Sequence, residues 1–132
     1  MASSVELRNN LLNALLRTTN VEAGAYVSLH TGDPGTTGAD EAAGGNYARV
    51  LTNQDAATTP YWNAAAGGSA TNNGAITFPT GGDGDVVSHW GLWDTTSGGN
   101  FLTGGSLDGV YTYGTTVSIS FGTGVLEVRI AV

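Results

Sequence analysis

From Tyr26 onward apolar residues return at every second position, and that period restricts the chain to a fold assembled from short strands. The last stretch is the clearest. Leu126, Val128, Ile130 and Val132 fall on one side of an extended backbone while Glu127 and Arg129 fall on the other, the pattern of a half-buried strand. Val27, Leu29 and Thr31 alternate in the same way with Tyr26, Ser28 and His30, and Val117, Ile119 and Phe121 alternate with Ser118 and Ser120. Further strands are expected at 47–52, 75–78, 86–94, 101–103 and 110–113. The doublets Gly44-Gly45, Gly67-Gly68, Gly81-Gly82, Gly98-Gly99 and Gly104-Gly105 lie between these stretches. Glycine reaches positive φ without steric cost, so each doublet is expected to form a tight turn or loop.

Only the N-terminus carries a helical period. Ser3-Ser4-Val5-Glu6 has the form of a capping box, in which a serine hydroxyl and a glutamate three residues later satisfy each other's orphan backbone donors. Leu7, Leu11 and Leu15, flanked by Leu12 and Leu16, then make an apolar stripe, with Arg8, Asn9, Asn10 and Asn13 on the other side. Arg17 falls in the last turn, where a cation suits the negative end of the helix dipole. These signals predict one domain over 1–132, mainly β: an antiparallel β-sandwich or jelly-roll-like body over 24–132, preceded by one N-terminal α-helix or arm within 1–20. The stretch 55–74 has the least regular pattern. Its Tyr61 and Trp62, set among Ala, Gly, Ser and Asn, belong either to a plug folded onto the strands or to a contact surface.

Composition narrows the function. Four arginines, Arg8, Arg17, Arg49 and Arg129, are the only cationic residues, there is no lysine, and the formal net charge is −7. A phosphate-tracking patch cannot be assembled from that supply, so neither nucleic acid nor an anionic membrane is an expected partner. The chain has no cysteine, which removes disulfides and thiolate metal sites. No apolar run reaches the roughly 18 residues of a membrane span. Ser3, Ser4 and Glu6 stand where a signal peptide carries lysines, so the product is expected to remain in the cytoplasm of the cell that makes it.

Reactive constellations are sparse. His30 and His89, the only histidines, sit in separate strands, and no serine has a nucleophile-elbow setting. Asp83 and Asp85 raise a calcium question, but a solvated turn explains them, and Asp33 fits the Gly32-Asp33-Pro34-Gly35 turn. Asp85, Asp94, Asp108 and Glu127 supply carboxylates without a spacing that pairs any two for glycoside hydrolysis. The expectation is therefore a non-enzymatic protein with no cofactor and no metal. Trp90, Trp93, Tyr111 and Tyr113 could stack on sugars, but alternation sets Trp90 with Leu92 on one face and Trp93 with His89 and Gly91 on the other. Trp93 and Trp62 are the candidates for exposed aromatic contacts.

The segments Tyr26-Val-Ser-Leu-His-Thr-Gly-Asp-Pro-Gly35, Gly44-Gly-Asn-Tyr-Ala-Arg49 and His89-Trp-Gly-Leu-Trp-Asp94, followed by Ser97-Gly-Gly-Asn-Phe-Leu102, occur in this order with short spacers. In that arrangement the chain resembles a family of small tailed-phage virion structural proteins, from Tyr26 to the C-terminus. Members of that family are tail-fibre components or head decoration (cement) proteins. The resemblance implies a virion component, and together with the apolar helix stripe it implies a homo-oligomer, a trimer. A single domain without heptads or shaft repeats favours a capsid decoration protein that binds the major capsid protein or other virion proteins and stabilises the head. The alternative is a tail-fibre or baseplate component acting as a receptor- or carbohydrate-binding module. Arg8 and Arg17 are the candidate virion contacts, as two of four cations in an acidic chain.

Overall fold

A computed structural model of the chain describes residues 4–17, 26–52 and 61–129. They form one helix and eight strands: α1 (Val5–Arg17), β1 (Tyr26–His30), β2 (Val50–Leu51), β3 (Ser69–Thr71), β4 (Ile76–Thr77), β5 (Asp85–Trp93), β6 (Phe101–Tyr113), β7 (Ser120–Phe121) and β8 (Glu127–Arg129). The fold is mainly β with antiparallel pairings and a single short helix, as the periodicity requires. The strands make a four-stranded sheet in the order β2-β1-β5-β6 and two ribbons, β3-β8 and β4-β7.

The described residues fall into two compact units, one drawn from Met1–Ala25, Thr52–Ile76 and Phe121–Val132, the other from Tyr26–Leu51 and Thr77–Ser120. In the first unit α1 packs beside β3, with Leu12 and Leu16 buried and Leu11 left 53% exposed. The leucine stripe therefore divides: among the described residues Leu12 and Leu16 are buried while Leu11 is exposed. Asn9 and Asn13, on the expected polar side, have structural work: their Oδ1 atoms accept the backbone N–H groups of Gly68 and Ala65 at 2.8 Å each. The helix begins one residue later than the box anticipates, with the Ser4 carbonyl accepting the first helical bond from the Arg8 N–H at 3.1 Å. Ser3 lies outside the described residues, as do Ile130 to Val132 of the expected last strand.

Trp62 corrects an expectation. It is fully buried, not an exposed contact, because its backbone bridges to Asn72 and its indole Nε1 donates to the buried Thr52 Oγ1 at 2.9 Å. The aromatic thus belongs to a plug. Strand β3 lies in the same weakly patterned stretch, where small residues hid its period. Asn72, also fully buried, ties this unit together. Its Nδ2 donates to the carbonyls of Gly74 (2.9 Å) and Gly122 (2.8 Å), and its Oδ1 accepts the Leu126 N–H at 2.9 Å.

In the second unit β1 and β5 are the inner strands, and register assigns their faces. Val27 pairs with Leu92 and Leu29 with Trp90 on one face, while Ser28 pairs with Gly91 and His30 with His89 on the other. Val27 to His30 are all buried, so the sheet is covered on both sides. Strand β6 runs 13 residues straight through Gly104-Gly105, where a turn was expected. The doublet instead makes room for a neighbour: a Cβ on Gly105 would lie 3.0 Å from Trp90 Nε1, and one on Gly104 would lie 2.5 Å from the Trp90 carbonyl oxygen.

Candidate functional site

The three segments of the sequence signature converge on one buried cluster in the second unit. Arg49 forms a bidentate pair with Glu41, from Nε to Oε1 and Nη2 to Oε2, each at 2.8 Å. Its Nη1 donates to the carbonyls of Thr95 and Gly98, both at 2.9 Å, and the guanidinium lies over the Trp93 ring, 3.8 Å from the centroid. Arginine suits this position because a planar fork can hold a carboxylate while stacking on an indole. Tyr47 Oη donates to Glu41 Oε1 at 2.7 Å and accepts the Leu29 N–H at 3.2 Å. Burial first, and then the adjacent Glu41, push that phenol far above its ordinary range. Burial also works to raise the Glu41 carboxyl, but the bonds from Arg49 and Tyr47 outweigh it and hold the group below its usual 4.5.

A hydrogen-bonded chain runs beneath this pair. Trp93 Nε1 donates to Ser28 Oγ at 3.0 Å, Ser28 Oγ lies 2.8 Å from His30 Nε2, and His30 Nδ1 lies 2.7 Å from the Ala39 carbonyl. A carbonyl can only accept, so Nδ1 carries the proton and Nε2 accepts from Ser28. Burial, the largest influence, lowers the His30 pKa below 6.5 despite the Ala39 bond, which keeps the ring neutral and the chain ordered. The fold does set His30 opposite His89, yet each ring engages a serine of its own strand, His89 Nδ1 meeting Ser88 Oγ at 2.8 Å. Ser28 and His30 have the atoms of a nucleophile and base, but both are fully buried.

Trp93, expected to be exposed, is 8% exposed, and Trp90 is 6% exposed. The reason lies in the inner position of β5 and in a seat cut for the indole: a Cβ on Gly38 would stand 2.3 Å from Trp93 Cζ2. Tyr113 is buried as well, its hydroxyl donating to the Pro79 carbonyl, so of the proposed sugar platform only Tyr111 remains outside. The carboxylates are each engaged locally: Asp85 by the Ala43 N–H, Asp94 by Asn100, Glu127 by Arg129 and Asp108 by Tyr111. Asp33 accepts the Gly35 N–H at 2.9 Å, the turn its sequence suggested. Among the described residues no group of three or more His, Asp or Glu is placed to hold a metal ion. No described helix is long and apolar enough to cross a membrane.

Strand β6, at the edge of the sheet, is largely exposed to solvent. Two steps along β5, from Val87 to His89, match five along β6, from Tyr111 to Ser106. Residues 107–110 thus stand against Ser88 alone, an irregular bulge of the kind that re-aims side chains. Val110 is 68% and Tyr111 46% exposed, and the Tyr111 hydroxyl donates to Asp108, which raises its pKa. Leu102 and Val86 are exposed on the same strand pair. No alternation pattern announces this surface, because the bulge breaks the period. Of the other sequence candidates, Arg8 lays its guanidinium against Gly68 and donates from Nε to the Ser4 carbonyl at 3.4 Å, while the Arg17 side chain is outside the described residues.

The second unit thus combines a part-buried ion pair that fixes its loops with an exposed strand that carries one charge, Asp108. A sequence model of the family described as Podophage GP4 fiber I protein gp80 matches residues 2–129, and the chain belongs to that family. It is therefore a structural component of a tailed-phage virion. No functionally curated protein matches the chain.

Proposed function

We propose that this protein is a tail-fibre component, a non-catalytic module that joins other virion proteins or a receptor through the β6 face. The description of its family as a fiber protein, over residues 2–129, carries this reading and favours it over decoration of the head, which the absence of shaft repeats had suggested. Geometry supports a contact role. The reactive-looking Ser28 and His30 are sealed inside, and the residues of the sequence signature hold loops in place. Among the described residues β6 is an edge strand, interrupted by the bulge at 107–110, with Asp108 its only charge and no Lys, Arg or Pro to discourage strand pairing. Self-association as a homotrimer is part of the proposal.

Separating purified particles into heads and tails and blotting each fraction for the protein tests this reading. The protein should follow the tails; recovery with tail-free heads would return the decoration reading to first place.

A further inference from the structure

We propose that Asn73 is a self-modification site, at which the backbone nitrogen of Gly74 converts the side-chain amide to a carboxylate. Asn73-Gly74 is the chain's one Asn-Gly dipeptide. The attack needs a following residue whose backbone nitrogen can reach the asparagine Cγ, and glycine, with no Cβ, obstructs it least. Asn73 is exposed, in the bend between β3 and β4. Both backbone N–H groups of the pair point at the Tyr61 carbonyl, but Asn73 holds it at 2.6 Å and Gly74 at 3.4 Å. The attacking nitrogen is therefore the weakly held one. Among the described residues, the space beside it is open: a Cβ on Gly74 would meet Tyr61 Cδ1 alone, at 4.0 Å. Asn63, Asn46 and Asn100 precede Ala, Tyr and Phe, whose side chains hinder the same attack, and Asn72 is fully buried.

The step balances without an oxidant or reductant. The Gly74 nitrogen gives up its proton and bonds to Asn73 Cγ, the bond from Cγ to the side-chain nitrogen breaks, and ammonia leaves with that proton. Water then opens the resulting five-membered imide at one of its two carbonyls, producing aspartate or isoaspartate. Isoaspartate routes the main chain through Cβ. The lengthened bend draws Gly74 O away from Asn72 Nδ2, now 2.9 Å apart, and Asn73 O away from Thr123 Oγ1, now 3.2 Å apart. The first bond braces the bend beside the buried Asn72 and the second ties it to Thr123, so the modification loosens the first unit at its central asparagine while adding a negative charge.

Incubating the folded full-length protein in mildly alkaline buffer made with heavy-oxygen water, followed by peptide mapping, tests this. The peptide containing residue 73 should gain the amide-to-acid mass with one heavy oxygen and split into two chromatographic forms. Gly74→Ala, with an unchanged circular dichroism spectrum, should slow that gain several-fold, and Asn73→Asp marks the position of the aspartate form. An unmodified residue 73 after prolonged incubation, or a rate indifferent to Gly74→Ala, overturns the proposal.

Discussion

Arg49 shows how much one side chain can be asked to hold. Its side chain is 6% exposed, and it is shared among Glu41, two carbonyls and an indole face. Removing Arg49 leaves the part-buried Glu41 carboxylate and two carbonyls without their partner, so Arg49→Ala should destabilise the protein by about 1–3 kcal/mol in urea unfolding. Arg49→Lys should recover only part of that loss, since an ammonium cannot make the fork contact or the stack. The same cluster sets an acid limit. His30 and Glu41 both have folded pKa values below their unfolded ones, so the unfolded chain binds more protons as pH falls. Their contribution is complete above pH 6.5 and declines below it, first through His30 and then, below 4.5, through Glu41. In an NMR titration the His30 ring should charge below pH 6.5; charging at or above that value would contradict the neutral hydrogen-bonded chain.

At the level of elements, alternation located β1 and β5 but overstated others: of the alternating stretch 117–121 only Ser120–Phe121 is strand. β1 and β5 follow their expected spans to within a residue or so, because burial on either face imposes the period. β6 was read as two strands because its glycines look like a turn; Trp90 of the neighbouring strand explains them, through its carbonyl at Gly104 and its indole at Gly105. Alternation also cannot say whether a sheet is covered on one face or two, and for that reason Trp93 looked exposed. The Arg49 cluster was legible as a list of residues but not as a site, since Glu41 carries no pattern of its own. Two glycine doublets act through contact, beyond serving as turns. A Cβ on Gly45 would lie 2.3 Å from the Gly81 carbonyl, and one on Gly82 would lie 2.3 Å from that of Tyr113. Gly82→Ala should therefore cost about 1–3 kcal/mol, measured by thermal or urea unfolding, because backbone must move. Val110→Ser in the β6 bulge should change stability by less than about 0.5 kcal/mol while weakening whatever binds there.

For the whole molecule, low charge and abundant glycine describe a protein whose surface is mostly small polar groups and backbone. Such a surface suits assembly against other proteins, and four cations in a chain of net charge −7 leave little scope for anionic ligands. If copies associate as proposed, light scattering should report three chains per particle of purified protein, and a monomer mass at high concentration would count against it. A three-dimensional reconstruction of the intact virion, with the protein located by a bound antibody fragment, should put its density on fibres at the tail, with none over the head lattice. Density spread across the capsid surface would contradict the fibre reading outright.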